Sequence, residues 1–141
     1  MSFGNSAEND FMKLLFNATT WNDIAENDTS SPTANISVAL HTGDPGEAGS
    51  QLTSEAAYTG YARLNIARTS GGWTVTANSV SPAANIDFGE CTAAAGGPIT
   101  HWSVGTSVSN YLIGSGTVTP NITMAVGVIP RIKTTSTITI E

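Results

Sequence analysis

The sequence predicts an all-β fold: an antiparallel β-sandwich of about eight short strands, with one short N-terminal α-helix. Three observations carry that expectation. From Ile36 onward, apolar residues recur with period two, as half-buried strands require. Clusters of Gly, Pro, Asn and Ser punctuate the chain, and no helical pattern separates the strands, which argues against an α/β arrangement. A chain of 141 residues with 40% hydrophobic content is enough for one domain with its own core. A jelly-roll-like double sheet suits eight strands best, with an immunoglobulin-like sandwich as runner-up. The expected organisation is an N-terminal helical arm over residues 1–30 and a single β-sandwich domain over residues 31–141.

The helix is expected over residues 5–18. Asn5 serves as N-cap, and Glu8 three residues on completes a capping-box-like pair. Ala7, Phe11, Leu14, Leu15 and Ala18 form one apolar stripe, and Met12 and Phe16 a second flank. That arc is wider than one sheet face covers. It has two readings: a helix tucked deep against the body, or Met12 and Phe16 docking on a neighbouring subunit. Trp21–Glu26 adds a possible further turn, and residues 27–34 are a breaker-rich connector.

Ile36, Val38 and Leu40 then alternate with Ser37, Ala39 and His41 in a half-buried strand. Tyr61–Ala67 is the next strand. Thr69–Gly72 reads as a turn whose glycine pair supplies the positive φ of a tight hairpin, leading into Trp73–Ala77. Ala84–Phe88 follows, then a loop at Thr92–Pro98. Ile99–Gly105 places Trp102 and Val104 on one face, His101 and Ser103 on the other. Tyr111–Ser115 is short, and Thr117–Val128 alternates Ile122, Met124, Val126 and Val128. Ile132–Ile140 closes the chain, uncharged from Thr134 until Glu141. An open edge of that kind recruits other chains, so it is expected to be covered by the N-terminal arm or by another copy.

Composition excludes several functions. Charged residues are 11% of the chain, against about 25% in ordinary domains, so the surface is Ser, Thr, Asn and Gly. With a net charge of −6 and only Lys13, Arg63, Arg68, Arg131 and Lys133 as cations, no surface tracks phosphates, and no nucleic-acid partner is expected. Arg131 and Lys133 read as solvent-facing strand residues. No apolar run reaches the ~20 residues of a membrane span, so no membrane partner is expected. The acidic N-terminus, with Lys13 inside its short apolar segment, does not read as a signal peptide, so the chain is expected in the cytoplasm before assembly. The N-x-S/T triplets at Asn17, Asn27, Asn35 and Asn121 are then coincidental.

Reactive chemistry is sparse. Cys91 is the sole cysteine and reads as a small buried apolar residue. His41 and His101 are the only histidines, no G-x-S-x-G elbow exists, and both read as structural. His41, Asp44 and Glu47 are the one dense set of potential ligands, but Gly43-Asp44-Pro45-Gly46 has a plainer role as a type I turn. The acids Glu47, Glu55, Asp87 and Glu90 cannot be paired for sugar cleavage from sequence. Trp21, Trp73, Trp102, Tyr58, Tyr61 and Tyr111 fit core packing better than a carbohydrate platform. No catalytic residue, metal or cofactor is expected.

The specific signal lies between Leu40 and Arg63. Leu40-His-Thr-Gly-Asp-Pro-Gly46, Gln51, Ser54-Glu55-Ala-Ala-Tyr58 and Gly60-Tyr-Ala-Arg63, with Trp73 after a glycine pair, resemble a core shared by small structural proteins of tailed-bacteriophage virions. Some of these are labelled head decoration or cement proteins, others tail or tail-fibre proteins. The resemblance runs clearly from Ile36 to Trp73 and loosely through the remainder. It implies a non-enzymatic β-sandwich bound to the virion in many copies. It also implies that Asp44, Pro45, Gly46 and Arg63 are fold determinants, with Arg63 locking the loop through Asp44, Glu47 or Glu55.

The leading expectation is a capsid decoration protein on the capsid exterior, made in the host cytoplasm. Its partners would be the major capsid protein and itself, as homodimer or homotrimer. Phe11, Met12, Leu15, Phe16 and Trp21 are the candidate interface anchors. The alternative is a tail or tail-fibre component, or a host-glycan-binding module. A small carbohydrate-active enzyme ranks third.

Overall fold

Alternating side chains and frequent turns produce nine strands and one helix in the computed structural model, which describes residues 5–20 and 33–139. The helix is α1 (Asn5–Asn17). The strands are β1 (Asn35–His41), β2 (Leu64–Ala67), β3 (Trp73–Thr76), β4 (Ser79–Pro82), β5 (Ile86–Asp87), β6 (Ile99–Thr106), β7 (Leu112–Ile122), β8 (Arg131–Ile132) and β9 (Ile138–Thr139). They form a four-stranded sheet in the order β2-β1-β6-β7, a three-stranded sheet β3-β4-β9 and a two-stranded sheet β5-β8. The mostly-β expectation with one short N-terminal helix holds. Three sheets of these sizes do not confirm the jelly-roll connectivity. Among the described residues no helix is long and apolar enough to cross a membrane.

The chain divides into two compact units. One combines the segment up to Asn35 with Ala67–Asn85 and the segment from Ile132; the other combines Ile36–Ile66 with Ile86–Arg131. The expected boundary near residue 30, the expected turn at Trp21–Glu26 and most of the 27–34 connector lie outside the described residues.

In the first unit α1 packs on β3 and β4. Met12 and Phe16 are each 1% exposed, and the Phe16 ring meets Trp73 edge-to-face at 4.9 Å. Burying side chains of this size contributes about 1.5–3 kcal/mol each. Polar ends fasten the helix: Asn9 Nδ2 donates to Ala77 O at 3.0 Å, and the Asn17 amide reaches Thr69 O and Trp73 O, each at 3.1 Å. Ala18 takes a left-handed φ of 51°, as residues just past a helix end commonly do, and Thr19 N donates to Lys13 O at 3.2 Å, closing the helix end.

The turn chemistry here differs from the expectation. Gly71 and Gly72 do not adopt positive φ, and Thr69–Gly72 links strands of different sheets. The turn closes instead through Gly72 N and Trp73 N, both donating to Thr69 O. The tight hairpin falls one strand later, between β3 and β4, where Ala77 carries φ 52°. β4, a stretch to which the sequence pattern assigned no strand, pairs with β3 from Trp73↔Pro82 to Thr76↔Ser79.

In the second unit β1 pairs antiparallel with β6 from Ile36↔Thr106 to His41↔His101, and β6 with β7. β1 was expected to be half-buried, yet every residue from Ile36 to His41 is buried. The reason is its central position: sheet neighbours flank both edges, and chain covers the Ser37–Ala39–His41 face as well. The two strands expected on either side of Gly116 are one strand, β7. The alternation beyond Ile122 is not strand; Met124 turns inward and Val126 is 68% exposed. β7 has no charged residue at its edge, but two register shifts and Pro120 interrupt its ladder, which are other means of blunting an edge. The expected last strand shrinks to β8 and β9, and Ile140 lies outside the described residues.

Candidate functional site

The resemblance-bearing loop, Thr42–Arg63, belongs to the second unit and is built around buried polar groups. Period two puts Ser37, Ala39, His41 and, from β6, Ser103 on one face of the sheet. His41 Nδ1 lies 2.9 Å from Thr53 O, which can only accept, so Nδ1 carries the proton. Nε2 then accepts from Ser103 Oγ at 2.7 Å. Gln51, 0% exposed, donates through Nε2 to Ser37 O at 3.1 Å and to Ser103 Oγ at 3.3 Å. Its carboxamide lies so close to β6 that a Cβ at Gly105 would stand 2.5 Å from Gln51 Cδ. Gly105 is therefore demanded by close approach rather than by φ.

Arg63 closes the network. Its guanidinium grips Glu55 bidentately, Nε to Oε1 at 2.6 Å and Nη2 to Oε2 at 2.7 Å, and Nη1 donates to Asn110 Oδ1 at 2.9 Å. Of the three acids considered for Arg63, Glu55 is the partner. The Tyr61 hydroxyl donates to Glu55 Oε1 at 2.9 Å and accepts from Leu40 N at 3.1 Å. Tyr61 stacks on Phe88 and meets Tyr58 edge-to-face. Gly60, at φ 104°, lies against the Glu90 carbonyl, where a Cβ would clash at 2.1 Å.

Electrostatics follow from these contacts. Burial pushes the Glu55 carboxyl up, but the hydrogen bonds of Arg63 and Tyr61 and the Arg63 charge outweigh it and hold the carboxyl below its usual value. Burial depresses His41, more than its bond to Thr53 and the nearby Glu55 raise it. Burial also lifts the Tyr61 hydroxyl well above its usual range, so it remains a donor.

The turn residues sit as their chemistry demands. Asp44 Oδ1 accepts from Gly46 N at 2.9 Å, Pro45 is buried, and Gly46 has φ 69°. Asp44 and Glu47 are exposed and line a cleft of about 250 Å³ with Gly46, His101, Ser115, Gly116 and Thr117. His41 faces away from solvent with both ring nitrogens engaged, so it does not join Asp44 and Glu47 as a ligand. Among the described residues no three His, Cys, Asp or Glu side chains converge to hold a metal ion.

The Ser103–His41 pair has the spacing of a nucleophile and its base. At 1% and 0% exposure, no substrate carbonyl reaches it. Two of the four acids considered for sugar cleavage are committed to arginines: Glu55 to Arg63, and Asp87 to Arg131. The core-packing reading of the aromatic residues fits Trp73, Trp102 and Tyr58, which are buried at 0%, 6% and 3% exposure and so form no carbohydrate platform.

The helix candidates separate. Met12 and Phe16 are spent inside their own unit, Leu15 is half-buried, and Phe11 is 41% exposed. Trp21 lies outside the described residues. Sequence reasoning missed Ser103 and Asn110 and gave no role to Gln51. The available signal was the shared face of His41 and Ser103, since two adjacent polar residues on a buried strand pair need a third to satisfy them.

A family model described as Podophage GP4 fiber I protein gp80 matches residues 2–139. No curated protein sequence matches the chain.

Proposed function

The chain belongs to the podophage GP4 fiber I protein family, and from that premise we propose that it is a building part of a tail fibre. The protein is a structural component of the phage virion and not an enzyme. The observation that carries the fibre reading is the extent of the match, which takes in both compact units. The family's description names a fibre, so the capsid-decoration expectation gives way to its alternative. The site agrees with a mechanical role: its polar groups are satisfied internally and hold a loop in place, leaving no accessible reactive centre.

Labelling of intact particles tests this. Gold-tagged antibody against the chain should mark the tail in negative stain. Quantitative gels should give far fewer copies than the major shell protein. Label spread evenly over the head would refute the fibre reading.

A further inference from the structure

The buried polar chain beneath the Thr42–Arg63 loop has a direction, and both of its ends are pinned. At one end Ser37 O can only accept, so Gln51 Nε2 donates to it at 3.1 Å, and the same amide donates to Ser103 Oγ at 3.3 Å. At the other end Thr53 O can only accept, so His41 Nδ1 presents its hydrogen there at 2.9 Å. Between them the Ser103 hydroxyl donates to His41 Nε2 at 2.7 Å. Among the described residues Ser103 Oγ has only these two partners. Turning the Gln51 amide over would set its oxygen against the Ser37 carbonyl, so the chain cannot be reversed. A second proton on His41 converts Nε2 from acceptor to donor. Nε2–H and the Gln51 amide then both point at Ser103 Oγ, and the Ser103 hydrogen loses its acceptor. His41, Gln51 and Ser103 are 0%, 0% and 1% exposed, so bulk water does not replace it.

The surroundings do not neutralise the added charge. From the loop, Glu55 faces His41 but is already gripped by Arg63, whose own positive charge also faces His41. Tyr61 adds a hydroxyl committed to Glu55 and Leu40 N. From β6, His101 stands directly opposite His41 on the same face, sharing its cleft with Asp44 and Glu47. We infer that this chain is an acid-released clasp: protonation of His41 frees the Thr42–Arg63 loop from the β1–β6 face while the sheet itself stays paired. The loop yields first because three of the four bonds in the chain join loop to sheet, Gln51 to Ser37, Gln51 to Ser103 and Thr53 to His41. β1 keeps its own ladder with β6 from Ile36 to His41. The inference goes beyond the fibre reading and does not depend on it.

Hydrogen exchange of the full chain from about pH 7.5 to about pH 5.5, expressed as protection relative to a free peptide, tests it above the ordinary 4.5 of Glu55. An open loop leaves His41 at its ordinary 6.5 and a closed one holds it lower, so opening takes up a proton. The amides of Thr42, Gln51 and Ala56, which donate to Ser54 O, Asn110 O and Leu40 O, should then lose up to about tenfold in protection per pH unit below 6.5. Amides of β6 and α1 should keep theirs. His41→Gln should remove the response, and His101→Gln should leave it. Nitrogen NMR of the unaltered protein decides the matter if a variant fails to fold: His41 should be the Nδ1–H tautomer at neutral pH, and its titration should track the loss of loop protection. The inference is overturned by loop protection that holds to pH 5.5 or falls together with β6, by a response that survives His41→Gln or vanishes in His101→Gln, or by an Nε2–H tautomer at His41. Each of these leaves the particle-labelling result untouched, so the two readings fail separately.

Discussion

Replacing Arg63 with alanine removes the fork that joins the loop to itself and to the β6–β7 tip. Two charge-assisted bonds to Glu55 disappear, at 2.6 and 2.7 Å, together with the bond to Asn110. Glu55 keeps only the Tyr61 hydroxyl among these partners. Exposed ion pairs contribute about 0.2–1 kcal/mol, and breaking a fully buried pair costs about 3–5 kcal/mol. The two side chains here are 20% and 17% exposed, so the loss falls between, at about 2–3 kcal/mol. At roughly 3–4 °C per kcal/mol for a chain of this size, the melting temperature drops by about 6–12 °C. Arg63→Lys should recover little, because an ammonium cannot reproduce the planar fork. The assay is thermal denaturation by circular dichroism, with hydrogen exchange at Thr42 and Ala56, whose amides donate to Ser54 O and Leu40 O across the loop base. An unchanged melting temperature for Arg63→Ala, or full recovery in Arg63→Lys, would refute the argument that fork geometry fixes the loop.

The first unit should report on its helix. Phe16→Ala should cost about 3–5 kcal/mol by chemical denaturation, whereas Phe11→Ala should cost under about 1 kcal/mol. Ser103→Ala leaves His41 Nε2 and Gln51 Nε2 each one partner short, and should cost about 1–3 kcal/mol in the same measurement. Because burial holds the folded His41 below its ordinary 6.5, the unfolded chain takes up a proton below that pH that the folded chain refuses. Stability contributed by this group is therefore complete above pH 6.5 and falls as pH drops below it, and His41→Gln should flatten that part of a melting-temperature profile. Glu55, also depressed, contributes stability above its ordinary 4.5 that is lost on further acidification, so its loss appears in a lower window.

Much of the fold was legible because its signals are local. Period-two alternation located β1, β3 and β6, and helical spacing with an apolar stripe located α1 to within a residue. What failed was long-range. The alternation in β1 reads as half-buried, and only the covering loop, whose Gln51 satisfies Ser37 and Ser103, makes it a fully buried strand. β4 escaped because Ser-Val-Ser-Pro, with a single apolar β-branched residue, is too short for a visible alternation; it forms through pairing with β3 and β9. In the site, the Asp44 turn was readable from residue preferences. The choice of Glu55 among three acids, and the reach of Arg63 to Asn110 on another loop, depend on tertiary placement that sequence spacing does not encode. The same holds for the helix flank: a wide apolar arc fits either an internal or an external partner, and Trp73 takes the internal role against Phe16.

The lone thiol offers a practical opening. Cys91 is wholly shielded, with its sulfur near the carbonyls of Ala93 and Ala94. Maleimide dyes therefore have nothing to grip on the native molecule. A single cysteine introduced at an exposed position would accept a fluorophore or heavy-atom tag cleanly, without first stripping out a native sulfhydryl.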